Sequence, residues 1–97
     1  MSFRIVPTKE FLEQAKQLDE KTKRIVDEKL DLLKENPYRF KSLYHKNLKL
    51  FRIRLNVQNK ETRLVYAVIK PDVILLCFIE RKKDYRDLAK YLKNFKE

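Results

Sequence analysis

Glycine is absent from all 97 residues of this chain. A loop that cradles phosphate with its own backbone amides needs glycine for close approach, so P-loop and dinucleotide-binding readings are excluded. Any phosphate must be held by side chains. Cysteine occurs once, as Cys77. It cannot form an internal disulfide, and its place within an apolar run predicts a buried, inert thiol in a reducing compartment. Long apolar runs are also missing. The longest, Val73 to Ile79, is too short to span a bilayer as a helix, and the N-terminus lacks the apolar stretch of a secretion signal. The expectation is a soluble, cytoplasmic protein with no membrane partner. Acidic residues are in short supply, 14 against 24 Lys and Arg, giving a formal net charge of +10. Such an excess suggests a polyanionic partner, nucleic acid first and an acidic protein second. A lysine-rich genome or a high growth temperature would also scatter lysines over the surface, but explains clustered arginines less well.

What is present is enough for one modest core. Hydrophobic residues make up 43% of the chain and charged residues 39%, which excludes disorder and predicts a single domain over residues 1–97. Phe3 to Val6 reads as a short strand stopped by Pro7, with Thr8 as the N-cap of a helix carrying Phe11, Leu12, Ala15 and Leu18. After a polar break at Asp19 to Thr22, Ile25, Val26, Leu30 and Leu33 mark a second helix. Asn36-Pro37 ends it, because the residue before proline is pushed out of the helical region. Tyr38 to Lys49 reads as a loop. The period then changes from helical to alternating. Phe51 to Leu55, Thr62 to Ile69 and Val73 to Glu80 are strands, the last apolar enough to be buried on both faces. Leu88, Tyr91, Leu92 and Phe95 place a final helix over Asp84 to Phe95. The predicted fold class is α+β in the order β-α-α-β-β-β-α: an antiparallel four-stranded sheet packed on an N-terminal helical hairpin, with a C-terminal helix.

Strand parity makes the arginines interesting. Pairing Phe51–Leu55 with Thr62–Ile69 about the Asn56–Glu61 connection sets Arg54 opposite Arg63. A second hairpin centred on Pro71 sets Arg63 opposite Ile79 and diagonal to Arg81. On that register Arg52, Arg54, Arg63 and Arg81 share one face, whereas a slip of one residue scatters them. Like charges placed directly opposite destabilise a sheet, so their convergence points to a bound anion. Arginine suits phosphate through its planar, permanently charged fork.

Phe51-Arg-Ile-Arg-Leu55, Thr62-Arg-Leu-Val-Tyr66 and Arg81-Lys-Lys-Asp-Tyr85-Arg, in that order, resemble the core signature of the RelE/ParE toxin superfamily, and in particular its RelE-like mRNA interferases. The likeness extends to the opening strand and the helical pair closing at Asn36-Pro37. It implies the toxin of a type II toxin–antitoxin system, held inactive by a cognate antitoxin protein and cutting mRNA on the ribosome. The implied chemistry needs no metal and no cofactor: the ribose 2′-hydroxyl attacks the adjacent phosphate, leaving a cyclic phosphate and a free 5′-hydroxyl. Carried over by position, the catalytic residues are Arg54, Arg63, Arg81 and Tyr85. Arg63 would stabilise charge on the phosphate, Arg81 the leaving oxygen, and Tyr85 would stack on or orient a nucleotide. Arg52, Lys82 and Arg86 would be further RNA contacts.

The chain also departs from that pattern. Relatives often carry lysines where Arg52 and Arg54 stand, and arginine cannot act as a conventional base. Relatives often carry histidine where Glu80 stands; Glu80 would either take the proton or form a structural ion pair. His45, the lone histidine, reads as a surface residue. The Asn56–Glu61 connection reads as longer than usual for the family and lacks its customary Gly and Tyr. Two alternatives therefore stand beside the nuclease: a ParE-like toxin that inhibits DNA gyrase by binding, and a catalytically decayed relative that only binds RNA or an antitoxin.

Overall fold

The structure, a computed structural model, describes residues 2–45 and 48–80. Strand β1 (Arg4–Pro7) leads into α1 (Lys9–Ala15) and α2 (Glu20–Glu35). A single 3-10 turn over Pro37–Arg39 precedes β2 (Lys41–His45), β3 (Leu48–Val57), β4 (Lys60–Ile69) and β5 (Asp72–Glu80). The strands form one five-stranded sheet in the order β1-β5-β4-β3-β2. β1 runs parallel to β5, and the other neighbours are antiparallel.

The helix starts follow from their caps. The Thr8 hydroxyl accepts from the Phe11 amide at 3.2 Å, and the Asp19 carboxylate accepts from the Thr22 amide at 2.8 Å. Each satisfies an amide that the first helical turn leaves without a partner. The polar break thus lies three residues earlier than expected, at residues 16–19, because Asp19 already caps α2. Asn36 adopts an extended backbone ahead of Pro37 and ends α2, as the sequence requires.

The sheet has five strands rather than four, because Lys41–His45 pairs with β3 and is not loop. Its sequence, Lys-Ser-Leu-Tyr-His, shows little alternation, since an outermost strand buries little of itself and carries polar residues that discourage further pairing. The Asn56–Glu61 connection is likewise not a long loop. Strand pairing continues to Val57 opposite Lys60, leaving a two-residue turn at Gln58 and Asn59, both with positive φ. Left-handed backbone at both central positions matches the twist of a tight hairpin. The helix expected over Asp84 to Phe95 lies outside the described residues.

Each sheet face carries an apolar cluster. Phe51, Ile53, Leu55, Leu64, Tyr66, Val73, Leu75 and Phe78 pack with Phe11, Val26 and Leu33 of the helices. On the other face Leu50, Val65, Ala67, Leu76, Cys77 and Ile79 form a second buried cluster. β5 contributes to both, which explains its near-continuous apolar sequence. Where β1 stops, α1 finishes the edge of β5. The Thr8 hydroxyl donates to the Leu75 carbonyl, and the Gln14 side-chain amide bonds both ways with the backbone of Phe78, at 2.7 and 3.0 Å. No described helix is long and apolar enough to cross a membrane.

Candidate nucleic-acid interface

The β3–β4 register sets Arg54 directly opposite Arg63, with Arg52 opposite Val65. Directly opposed side chains on one face stand about 5 Å apart at Cβ. Arg63 in turn faces Ile79 of β5. Arg52, Arg54 and Arg63 therefore share the face that lies away from the helices. Arg54 is exposed, and Arg52 and Arg63 are half-buried.

This convergence depends on a β-bulge. The β4–β5 hairpin begins with Ile69 opposite Asp72, which by itself would bring Phe78, not Ile79, to Arg63. Between Tyr66 opposite Leu75 and Val65 opposite Cys77, β5 carries Leu76 as one extra residue. Leu76 and Cys77 accordingly pack in the same cluster although they are neighbours in sequence. The extra residue returns Phe78 to the helix side, where its ring stacks on Phe11 at 5.0 Å.

A depression of about 340 Å³ opens at this end of the sheet, lined by Arg54, Leu55, Asn56, Glu61, Thr62 and Arg63. Glu61 opposes Asn56 and shares the arginine face, two residues from Arg63. Sequence reasoning assigned Glu61 to a loop and missed it; extending the strand parity past Arg63 would have found it. Lys41 was missed for the same reason. It pairs with Arg52 across β2 and β3, so a fourth cation stands on this face.

Glu80 is not brought to the arginines. It opposes Thr62, which opposes Leu55, so its side chain belongs to the helix-facing side. There its carboxylate lies 3.6 Å from the Lys60 ammonium. A proton-transfer role beside Arg54 and Arg63 is thereby overturned for Glu80, because successive residues on a strand point to opposite faces. Arg81, Lys82, Tyr85 and Arg86 lie outside the described residues. His45 sits at the end of β2, opposite Leu48 and far along β3 from Arg54. Tyr66 is fully buried, stacks on Phe51 at 5.5 Å and donates a 2.6 Å hydrogen bond to the Pro37 carbonyl, so it is structural. Among the described residues no group of three or more His, Cys, Asp and Glu stands together to hold a metal ion.

A five-stranded sheet with two helices on one face and arginines on the other defines an α+β fold already seen in solved proteins. A double arginine-to-alanine variant of the Escherichia coli toxin RelE in its free state superposes with a TM-score of 0.75 at 19% identity, covering 97% of this chain and 98% of that one. The intact E. coli RelBE toxin–antitoxin complex gives a TM-score of 0.68 at 19% identity, over 80% of this chain and 95% of the matched one. The chain has the RelE fold. No protein-family profile and no curated protein matches its sequence.

Proposed function

We propose that the protein is the toxin of a type II toxin–antitoxin pair, a ribosome-dependent endoribonuclease that cuts mRNA without a metal ion. The observation that carries this reading is the cross-strand pairing of Arg54 with Arg63 on a sheet face turned away from the helices. Opposed guanidiniums repel, and a phosphate between them turns that repulsion into binding. As the 2′-hydroxyl oxygen bonds to phosphorus and the bond to the 5′-oxygen breaks, charge builds on the equatorial oxygens, where fixed guanidiniums stabilise it most. Arg52 and Lys41 extend the positive face along the message. Arg81 and Tyr85 retain the roles implied by the resemblance, at the leaving oxygen and on a neighbouring base, with Lys82 and Arg86 as further contacts.

The proton acceptor is assigned to this chain's own geometry. Arginine cannot accept the 2′-hydroxyl proton, and Glu80 stands on the wrong face. Glu61 is a carboxylate on the arginine face that lines the same depression as Arg54 and Arg63. It takes the proton and later releases it to water, while the departing 5′-oxygen is protonated from solvent.

Induction in cells followed by mapping of mRNA 5′ ends tests the reading. Codon-phased cuts are expected, lost with Arg63→Ala and reduced about a hundredfold or more with Glu61→Gln. Intact messages accompanied by DNA-damage signalling would instead identify a gyrase inhibitor. Unimpaired growth without an antitoxin would identify a decayed relative.

A further inference from the structure

Between Asn36 and Lys60 the chain has seven Lys and Arg in 25 residues and no Asp or Glu. Arg52 and Arg54 are taken up by the arginine face; much of the rest surrounds the outer edge of the sheet at β2. On the helix-facing side of that edge, Tyr44 directly opposes Lys49 and is 71% exposed. The Lys49 ammonium lies 5.6 Å from the Phe51 ring centre, a cation–π contact that holds it over the surface. Tyr38, 52% exposed, leans edge-on against the same ring at 5.8 Å, and exposed Arg39 follows it. Lys41 stands on the opposite side of β2, facing Arg52. The outer edge of the sheet thus has cations on both sides, Lys41 of β2 on one and Lys49 of β3 on the other, with the exposed Tyr44 ring beside Lys49.

We propose that this edge is a second contact for single-stranded RNA. The message held at the arginines passes Lys41, turns around β2, and stacks a base on Tyr44 while Lys49 and Arg39 neutralise its phosphates. The inference rests on the reading of the arginine face as an RNA site. An acidic protein would match the charge, but a protein interface needs an apolar centre. Around Tyr44, among the residues whose side chains are described, the neighbours on this side are exposed Ser42 and Lys49, with no exposed aliphatic residue beside them. Base stacking needs only a ring face with cations near it. Tyr44 sits opposite Lys49, five residues along β3 from Arg54, or about 17 Å at the usual strand rise. A very short RNA can therefore occupy one site but not both.

Fluorescence anisotropy with end-labelled single-stranded RNAs of about four and about twelve nucleotides, on the full chain without ribosomes, separates the two sites. For the longer RNA, Y44A/K49A is expected to weaken binding about tenfold and to flatten the log–log salt slope by about 0.7 for the lost lysine contact. The shorter RNA should bind as before, and Tyr44→Phe should restore most of the affinity lost with the ring. Arg63→Ala should weaken both RNAs. If Y44A/K49A leaves the longer RNA's affinity and salt slope unchanged while Arg63→Ala weakens both RNAs, the edge contact is refuted and the arginine site stands. If neither RNA binds the wild-type chain, or Arg63→Ala changes neither, the arginine-face reading fails and this inference fails with it. Loss of polyglutamate binding in Y44A/K49A with RNA affinity intact would assign the edge to an acidic protein and overturn the proposal. Tyr44 is exposed enough that circular dichroism should show both variants folded.

Discussion

Arg54 and Arg63 stand directly opposite each other across β3 and β4. Like charges at opposed positions cost stability, by roughly 0.2–1 kcal/mol. Arg54→Gln should therefore raise the unfolding midpoint in urea slightly while lowering cleavage, a combination expected of residues kept for function. A rise in both, or a fall in both, would remove the argument that repulsion is tolerated for a ligand. Cys77 illustrates the opposite kind of residue. Burial, with a smaller contribution from the charge of Glu10, pushes its thiol from the usual value near 9 up to about 12. The folded thiol stays protonated where the unfolded one ionises, so its contribution to stability is complete below pH 9 and is lost as pH rises toward 12. Iodoacetamide should accordingly leave Cys77 unmodified at pH 8 in the native protein and alkylate it promptly in denaturant. The burial of Cys77 and the shared face of the three arginines were both legible from residue spacing alone. Glu61 follows from the same parity, but the length of its strand is hidden, because it continues into a turn that lacks the usual Asn-Gly signal; Gln58 and Asn59 supply the left-handed backbone instead.

At the scale of elements, the helices and the three long strands could be read from periodicity, and their ends from Thr8, Pro37 and Pro71. The expected opposition of Arg63 and Ile79 is correct, yet by a route the sequence does not reveal. The second hairpin is centred half a residue earlier than Pro71 suggests, and the Leu76 bulge restores the register before Arg63 is reached. Bulges have no strong local signature in an apolar run, so parity arguments that cross one are right only when two offsets cancel. β2 escaped notice because its partner, not its own pattern, makes it a strand. The segment before β2 is anchored from β4: the Tyr66 hydroxyl reaches the carbonyl of buried Pro37 at 2.6 Å. Tyr66→Phe removes that donor and leaves a carbonyl without its partner, which should cost about 1–3 kcal/mol. Thermal unfolding should register it as a fall of several degrees or more. An unchanged midpoint would mean that water replaces the hydroxyl.

Across the whole molecule the charge is divided unevenly between the two layers. Residues 9–35, which include both helices, hold seven basic and eight acidic residues, whereas residues 41–80 hold eight Lys and Arg against three acids. The excess of +10 is therefore no property of the helical layer. A uniformly charged surface, as a lysine-rich genome would produce, does not give this division. Lys41→Glu should weaken single-stranded RNA binding markedly at low salt, and Lys16→Glu with Lys23→Glu on the helical layer should leave it nearly unchanged. Equal losses would return the charge to a general solubilising role.

The pairing of β1 with β5 sets the order in which such a chain can be completed. Arg4 finds its strand partner at Asp72, and the Gln14 amide finds its own at Phe78, 64 residues later. The hairpins of β2, β3 and β4 join segments that leave the ribosome close together, so the face bearing Arg54 and Arg63 can form from local contacts. The first strand made must wait for the last described one before it has anywhere to dock, and long-range closure of this kind is slow. During synthesis the side bearing Arg54 and Arg63 is thus in place before the fold is sealed, and a partner that meets the nascent chain meets that side first.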